Sequence, residues 1–219
     1  MQTNFRTATL GSDGRLDAPA FHRNHEPIWS VLAPYLESAA GHVLEAGSGT
    51  GQHVVEFARK SPRLVWWPAD YDAAHLRSIE AWRQHSGLSN IRPAKFIDLS
   101  APDWGLNAED SGVLGGLAAI FCANVIHIAP LSVAEGLFRD AARRLRPDGK
   151  LFLYGPFKRD GVHTAPSNEA FDQSLRARDS QWGVRDIADL APLANRGGLS
   201  LANIVPMPAN NMILIFERD

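Results

Sequence analysis

The sequence predicts an open α/β fold: a mostly parallel central sheet with helices on both faces and a final antiparallel strand. Three observations predict it. Short apolar runs alternate with stretches whose apolar residues recur at helical spacing. A glycine turn, Gly47-Ser48-Gly49-Thr50-Gly51, directly follows the first of those runs. The last two runs are joined by Pro206 to Asn211, short enough for a hairpin, so the final strand is expected to run against the others.

Residues 1 to 24 are rich in Thr, Ser, Asp, Gly and Arg and lack periodicity, so they read as an irregular N-terminal arm, either a tail or a segment that closes over a site. A helix is expected from near Asn24, with Pro27 close to its first turn and Ile28, Val31, Leu32, Tyr35 and Leu36 at helical spacing. Gly41 stops it, and Val43-Leu44 leads into the glycine turn. A second helix through Val54, Val55 and Ala58 ends before Pro62. Leu64 to Trp67 is a buried strand closing at Pro68-Ala69-Asp70. Ala73 to His85 is helical, with Leu76, Ile79, Ala81 and Trp82 as core positions. Phe96 and Ile97 belong to a third strand ending at Asp98, and Pro102 to Gly116 is a connection.

Leu117 to Ala123 is almost continuously apolar, as a strand in the middle of a parallel sheet should be. Leu131 to Leu145 is an amphipathic helix stopped by Arg146-Pro147-Asp148-Gly149, and Leu151 to Tyr154 is the next strand. After Gly155-Pro156 the alternation breaks. Residues 157 to 198 hold a loop and two helices, near Glu169 to Arg178 and Asp186 to Ala194, before the β runs Leu199 to Val205 and Met212 to Phe216. We read one domain, 1–219, made of the arm 1–24, a binding core 25–155, an insertion 156–198 and a terminal hairpin 199–219.

At 219 residues, 45% hydrophobic and 21% charged, the chain has the composition of a soluble globular protein. Its net charge of −2 argues against a general nucleic-acid binder. A single cysteine excludes an intramolecular disulfide and a Cys cluster for zinc. Leu117 to Ala123 falls far short of the roughly 20 residues that span a bilayer, and Met1 to Asp17 has no apolar signal core. The expected setting is cytoplasmic, without membrane association.

The glycine turn carries most of the chemistry. Its glycines lie at i, i+2 and i+4, whereas the dinucleotide fingerprint has its third at i+5, occupied here by Gln52. Glu45, two residues before Gly47, opposes a pyrophosphate and suits a cationic ligand. Asp70 and Asp98 close the next two strands, where open α/β sheets bind ligands. A carboxylate at Asp70 suits the two hydroxyls of a ribose, and Asp98 with Leu99 suits an adenine amine. Each carboxylate has a plainer reading as a helix cap, credible for Asp98, weaker for Asp70 and poor for Glu45.

Glu45-x-Gly47-x-Gly49-x-Gly51, Asp70 and Asp98, with the order of elements over roughly residues 24 to 155, resemble the class I S-adenosylmethionine-dependent methyltransferases. Arg23-Asn24-His25-Glu26-Pro27-Ile28, Tyr154-Gly155-Pro156-Phe157, Ser167-Asn168-x-x-Phe171-Asp172, Trp182-Gly183-x-Arg185-Asp186 and Pro208-Ala209-Asn210-Asn211 look like a small family related to human methyltransferase-like protein 26. The resemblance implies a Rossmann-like methyltransferase fold and S-adenosyl-L-methionine as cofactor, held by Glu45, Gly47, Ser48, Gly49, Asp70, Asp98, Leu99 and Asn124. It supplies no substrate.

On the acceptor side, His127 follows the Leu117 to Ala123 strand and is the catalytic candidate, able to orient an acceptor or take its proton near neutral pH. Its competing reading is a packing residue before Pro130. Arg23, Asn24, Tyr154, Asn168, Phe171 and Arg185 are candidate substrate contacts, with capping, core packing or surface ion pairing as the alternatives. His22-x-x-His25 with Glu26 has metal-like spacing but no completing cluster, so no metal is expected. Ser48 is not in a Gly-x-Ser-x-Gly elbow, and no phosphate loop is present. Cys122 reads as a small buried hydrophobe. The expected activity is methyl transfer to an oxygen or nitrogen of a small molecule. A non-catalytic cofactor-binding partner protein and a nicotinamide-dependent oxidoreductase are the rival readings. The arm and residues 157 to 185 are expected to close over the site.

Overall fold

The computed structural model describes residues 8–104, 113–114 and 116–218. Residues 1–7 of the expected arm, and 105–112 and 115 of the expected connection, lie outside the described residues. The chain divides after Ile97 into two compact units.

In the first unit, β1 (Thr9–Leu10) and β2 (Leu16–Asp17) pair as a small antiparallel hairpin. α1 (Pro19–Leu36) follows at once. Residues 8 to 24 are therefore a hairpin and a helix start, not an irregular arm. The helix begins before Asn24 because Pro19 sits in its first turn, where a missing N–H is no loss. Pro27 and Pro34 consequently lie inside it. The hairpin is held by partners distant in sequence. Leu16 N–H donates to Ser78 Oγ at 2.9 Å, Trp82 Nε1 donates to the Leu16 carbonyl at 2.8 Å, and the Arg15 guanidinium lies over the Trp82 ring.

β3 (Gly41–Ala46), α2 (Gln52–Lys60), β4 (Leu64–Asp70), α3 (Ala73–Ser86) and β5 (Lys95–Phe96) complete this unit, with β3, β4 and β5 in parallel register. Trp66 and Trp67 are both buried, and each indole N–H is satisfied, by Ser61 Oγ and His42 Nδ1. Of the four core positions expected on α3, Ile79 is fully buried and the others partly. β5 is shorter than expected. Ile97 N–H still donates to the Asp70 carbonyl, but Asp98 bends the chain away through its own side-chain bonds to Ser100.

The second unit contains β6 (Leu117–Ala123), α4 (Leu131–Arg144), β7 (Leu145–Gly155), β8 (Phe157–Arg159), β9 (Val162–His163), α5 (Pro166–Arg176), β10 (Arg185–Asp186), α6 (Ile187–Gly197), β11 (Leu199–Met207) and β12 (Asn211–Arg218). β6 is parallel to β7, whereas β12 is antiparallel to both β7 and β11, as expected. Leu117 to Cys122 are all buried. The Arg146-Pro147-Asp148-Gly149 stop is a bulge within β7, since Leu117 pairs with Leu145 and Ala119 already with Lys150. Residues 157–198 are more ordered than a loop and two helices. β8 pairs with β9 and β10 in a small three-stranded sheet, and Pro166 in the first turn starts α5 earlier than Glu169. No helix among the described residues is long and apolar enough to cross a membrane.

Candidate functional site

In the first unit the site is the turn between β3 and α2. Gly47, Gly49 and Gly51 all have positive φ. At Gly51 the requirement is double: φ is +89°, and a β-carbon would sit 2.8 Å from Ile79 Cα, so only glycine lets α2 pack on α3. At Gly49 a β-carbon would meet no protein atom within 4 Å, so this part of the turn faces open space.

The turn is tied to the end of β4. The N–H groups of Gly47 and Ser48 both donate to the Ala69 carbonyl, at 2.9 and 2.8 Å. Ser48 Oγ donates to the Glu45 carbonyl and accepts from Ala69 N–H. Gly49 N–H donates to Asp70 Oδ2 at 2.9 Å, while Asp70 Oδ1 accepts from Asp72 N–H at 2.9 Å and faces His75 Nδ1 at 3.3 Å. Asp70, 4% exposed, thus fixes the glycine turn and the start of α3 together. Asp72 and His75 enter the site here without having been singled out in the sequence; Asp72 also caps α3, accepting from the N–H groups of Ala74 and His75.

Glu45 is 2% exposed, and its Oε2 has no hydrogen-bond partner. Burial pushes its carboxyl up to about 8; the Ser48 hydroxyl pulls it back, and the nearby Asp70 charge pushes it further up. An orphaned buried carboxyl oxygen beside an open glycine turn fits a ligand that brings a hydrogen-bond donor, or a cation that draws the carboxyl back to its ionised form. Asn24 is buried on α1 with its Oδ1 2.9 Å from His53 Nε2, and Arg23 beside it is exposed. Burial, aided by the His25 charge, drives His53 down to about 3.

In the second unit, Asp98 is exposed and its Oδ1 accepts from both Ser100 N–H and Ser100 Oγ. Leu99 is buried, and its carbonyl packs so tightly on α4 that a β-carbon at Gly136 would collide with it. Asn124 takes a left-handed conformation, φ +60°, and its N–H donates to the Tyr154 carbonyl at 2.8 Å. Tyr154 itself is buried. Asn124 and His127 both border Gly155, where a β-carbon would run into His127 Nε2.

His127 is 1% exposed, lies edge-on to Phe157 with ring centroids 5.0 Å apart, and has no hydrogen-bond partner at either ring nitrogen. The expectation of titration near neutrality is not met. Complete burial drives the imidazole down to about 3, with the Arg185 charge acting in the same direction. It is a neutral group, one donor and one acceptor, throughout the physiological range. Asn168 donates from Nδ2 to Thr164 Oγ1 at 3.0 Å and to the Asn210 carbonyl at 2.8 Å, bracing the turn before β12. Phe171 is half-buried on α5. The Arg185 guanidinium is directed at backbone carbonyls: Nε donates to Ile126, and Nη2 to Ala129 and Gln181. Asp172 is buried and pairs with Arg176 one helical turn on; in the sequence it stood only within the motif Ser167-Asn168-x-x-Phe171-Asp172.

The chain is 31% identical over 144 residues, 64% of its length, to the ribosomal RNA small subunit methyltransferase G of Solibacter usitatus, and spans 60% of that protein. Among solved structures it resembles an O-methyltransferase of Nostoc punctiforme (TM-score 0.76, 15% identity, covering 91% of this chain and 57% of that one). It also resembles the O-methyltransferase NcsB1 from neocarzinostatin biosynthesis, solved with S-adenosylmethionine and 2-hydroxy-5-methyl naphthoic acid (TM-score 0.69, 17% identity, 91% and 55%). The chain therefore spans little more than half the length of these structures. At such identities the likeness establishes the Rossmann-like methyltransferase fold, with its mostly parallel sheet, antiparallel final strand and helices on both sides. A sequence model matches residues 15–218, nearly the whole chain, and the protein belongs to the family described as Protein of unknown function (DUF938).

Proposed function

We propose that the protein transfers a methyl group from S-adenosylmethionine to an oxygen or nitrogen of a small-molecule acceptor. The observation that carries this reading is Glu45: a buried carboxyl with an unpartnered oxygen, at the foot of a glycine turn open at Gly49. The bound cofactor would supply an electrophilic methyl on a sulfonium. In this reading Glu45, Gly47, Ser48 and Gly49 receive its charged amino-acid portion with Asn124, Asp70 takes the ribose hydroxyls, and Asp98 with Leu99 takes the adenine. Methyl transfer needs in-line approach, so positioning supplies much of the rate. His127 faces the acceptor as a neutral hydrogen-bonding group, and its two unpartnered nitrogens suit a hydroxyl or amine that can both donate and accept. Tyr154 and Phe171 line the acceptor side, and Arg23 and Asn24 the cofactor's cover. The narrower likeness to the family related to human methyltransferase-like protein 26 belongs to this reading too.

Calorimetry with S-adenosylhomocysteine and with NADH tests the cofactor. Binding of the first and none of the second is expected; tight NADH binding alone would sink the proposal. The likeness to an rRNA methyltransferase favours RNA as a second acceptor class. Methylation with radiolabelled cofactor, run against ribosomal RNA and against a panel of phenols and amines, separates the two. We expect label in the small molecules and none in the RNA.

A further inference from the structure

We propose that Arg185 and Asp172 are positioning residues for His127: Arg185 ties down the turn that carries it, and Asp172 builds the backbone that grips it. The proposal rests on His127 facing the acceptor, but its test does not depend on which cofactor or acceptor is used. Ile126 and Ala129 flank His127, and the single planar guanidinium of Arg185 reaches both their carbonyls as well as that of Gln181. A lysine ammonium has no such fork and could not hold the same spacing.

The His127 carbonyl is gripped from the other side by Gly183 N–H at 2.9 Å. Gly183 has φ +153°, and a β-carbon there would lie 2.7 Å from Asp172 Oδ1. The same Asp172 oxygen accepts from Val184 N–H at 2.7 Å. The carboxylate therefore shapes the very turn that holds His127. Asp172 is itself held from three elements, by the Lys158 ammonium of β8 at 3.2 Å, the His163 ring of β9 at 3.3 Å and the Arg176 guanidinium of α5 at 3.2 Å. This is far more than a surface pair needs. The imidazole ends up caged between Phe157 and Gly155 with both nitrogens unpartnered. Burial keeps the ring neutral first, the Arg185 charge acts in the same direction, and Asp172 and the Gly183 backbone act in the opposite one.

The test is nitrogen-detected NMR of the His127 ring in the full chain, assigned with His127→Asn, for Arg185→Gln, Arg185→Lys and Asp172→Asn. In the wild type a ring that does not titrate down to pH 5 is expected. Arg185→Gln should shift the ring signals and raise the titration midpoint, because a charge that opposes protonation is removed. Arg185→Lys keeps the charge but loses the fork, and should shift the ring signals while leaving the midpoint low. Asp172→Asn should also shift the ring signals. Ring signals identical to wild type in folded variants would overturn the proposal. Should Arg185→Gln fail to fold, Arg185→Lys and Asp172→Asn decide on the same criterion. Affinity for S-adenosylhomocysteine, measured alongside, should stay within about twofold, as for a site without shared partners. Loss of that binding in the wild type would count against the proposed function and leave the ring measurement standing.

Discussion

Asp70 shows how one carboxylate serves two ends. Its spacing from the glycine turn suggested a ligand contact, and in the structure it also receives the N–H groups of Gly49 and Asp72. Each carboxylate oxygen accepts more than one hydrogen bond, so holding the turn leaves capacity for a hydroxyl. Asp70→Ala would free two backbone donors and remove the proposed ribose acceptor. We expect S-adenosylhomocysteine affinity to fall by about 10- to 100-fold, corresponding to roughly 1–3 kcal/mol for a lost hydrogen bond to a charged group. Asp70→Asn, which keeps one accepting oxygen, should fall between. Calorimetry on the folded variants checks both, and unchanged affinity in Asp70→Ala would take the residue out of the site.

Among the elements, the hairpin of β1 and β2 departs most from the expected arm. Gln52, the residue that replaces the third glycine of the dinucleotide pattern, is what fastens it. Its Oε1 accepts from Ala18 N–H at 2.7 Å and from Thr50 Oγ1 at 2.9 Å, and its Nε2 donates to Asp17 Oδ1 at 2.7 Å. One buried amide thus joins the glycine turn to the start of α1. Gln52→Ala should raise hydrogen exchange across residues 9 to 18 by about tenfold or more, the loss of one to two hydrogen bonds' worth of local stability, while β7 and β12 stay protected. Uniform exchange in both proteins would show that Ser78, Trp82 and Arg15 hold the hairpin without it.

For the whole molecule, three buried titratable groups set the pH of greatest stability. His53 and His127, ordinarily near 6.5, are driven to about 3, and Glu45, ordinarily near 4.5, is raised to about 8. Between pH 4.5 and 6.5 the unfolded chain binds two protons at the histidines that the folded chain does not, and the folded chain holds one at Glu45 that the unfolded chain does not. Over these three groups the balance is one extra proton on the unfolded side, and His42, also lowered by burial, acts in the same direction, so stability should rise with pH by at least about 1.4 kcal/mol per pH unit. Between pH 6.5 and 8 only Glu45 differs, and its proton belongs to the folded state, so stability should fall by a similar slope of about 1.4 kcal/mol per pH unit. Urea unfolding from pH 5 to 8 should therefore show a maximum near 6.5. A profile that already falls with pH below 6.5 would mean that the two imidazoles are hydrated, because only the Glu45 proton would then be left to count.

Local chemistry was enough for the alternation of strands and helices, the glycine turn and the carboxylates beside it. Apolar periodicity, β-branching and glycine's tolerance of positive φ act between near neighbours in the chain. The direction of β12 was legible for the same reason, since a short connection leaves few alternatives. The starts of α1 and α5 were misplaced although Pro19 and Pro166 mark them, because polar composition upstream masked the signal. What only tertiary structure decided are the groups whose partners lie far away along the chain: the docked hairpin, the two-sided grip of Asp70, and the turn of Arg185 towards the backbone around His127. Burial belongs to this second class above all. Residue identity makes His127 a group that titrates near neutrality, and only the packing of Gly155, Phe157 and Arg185 around it makes it neutral, because the cost of charging an imidazole is set by the medium that surrounds it.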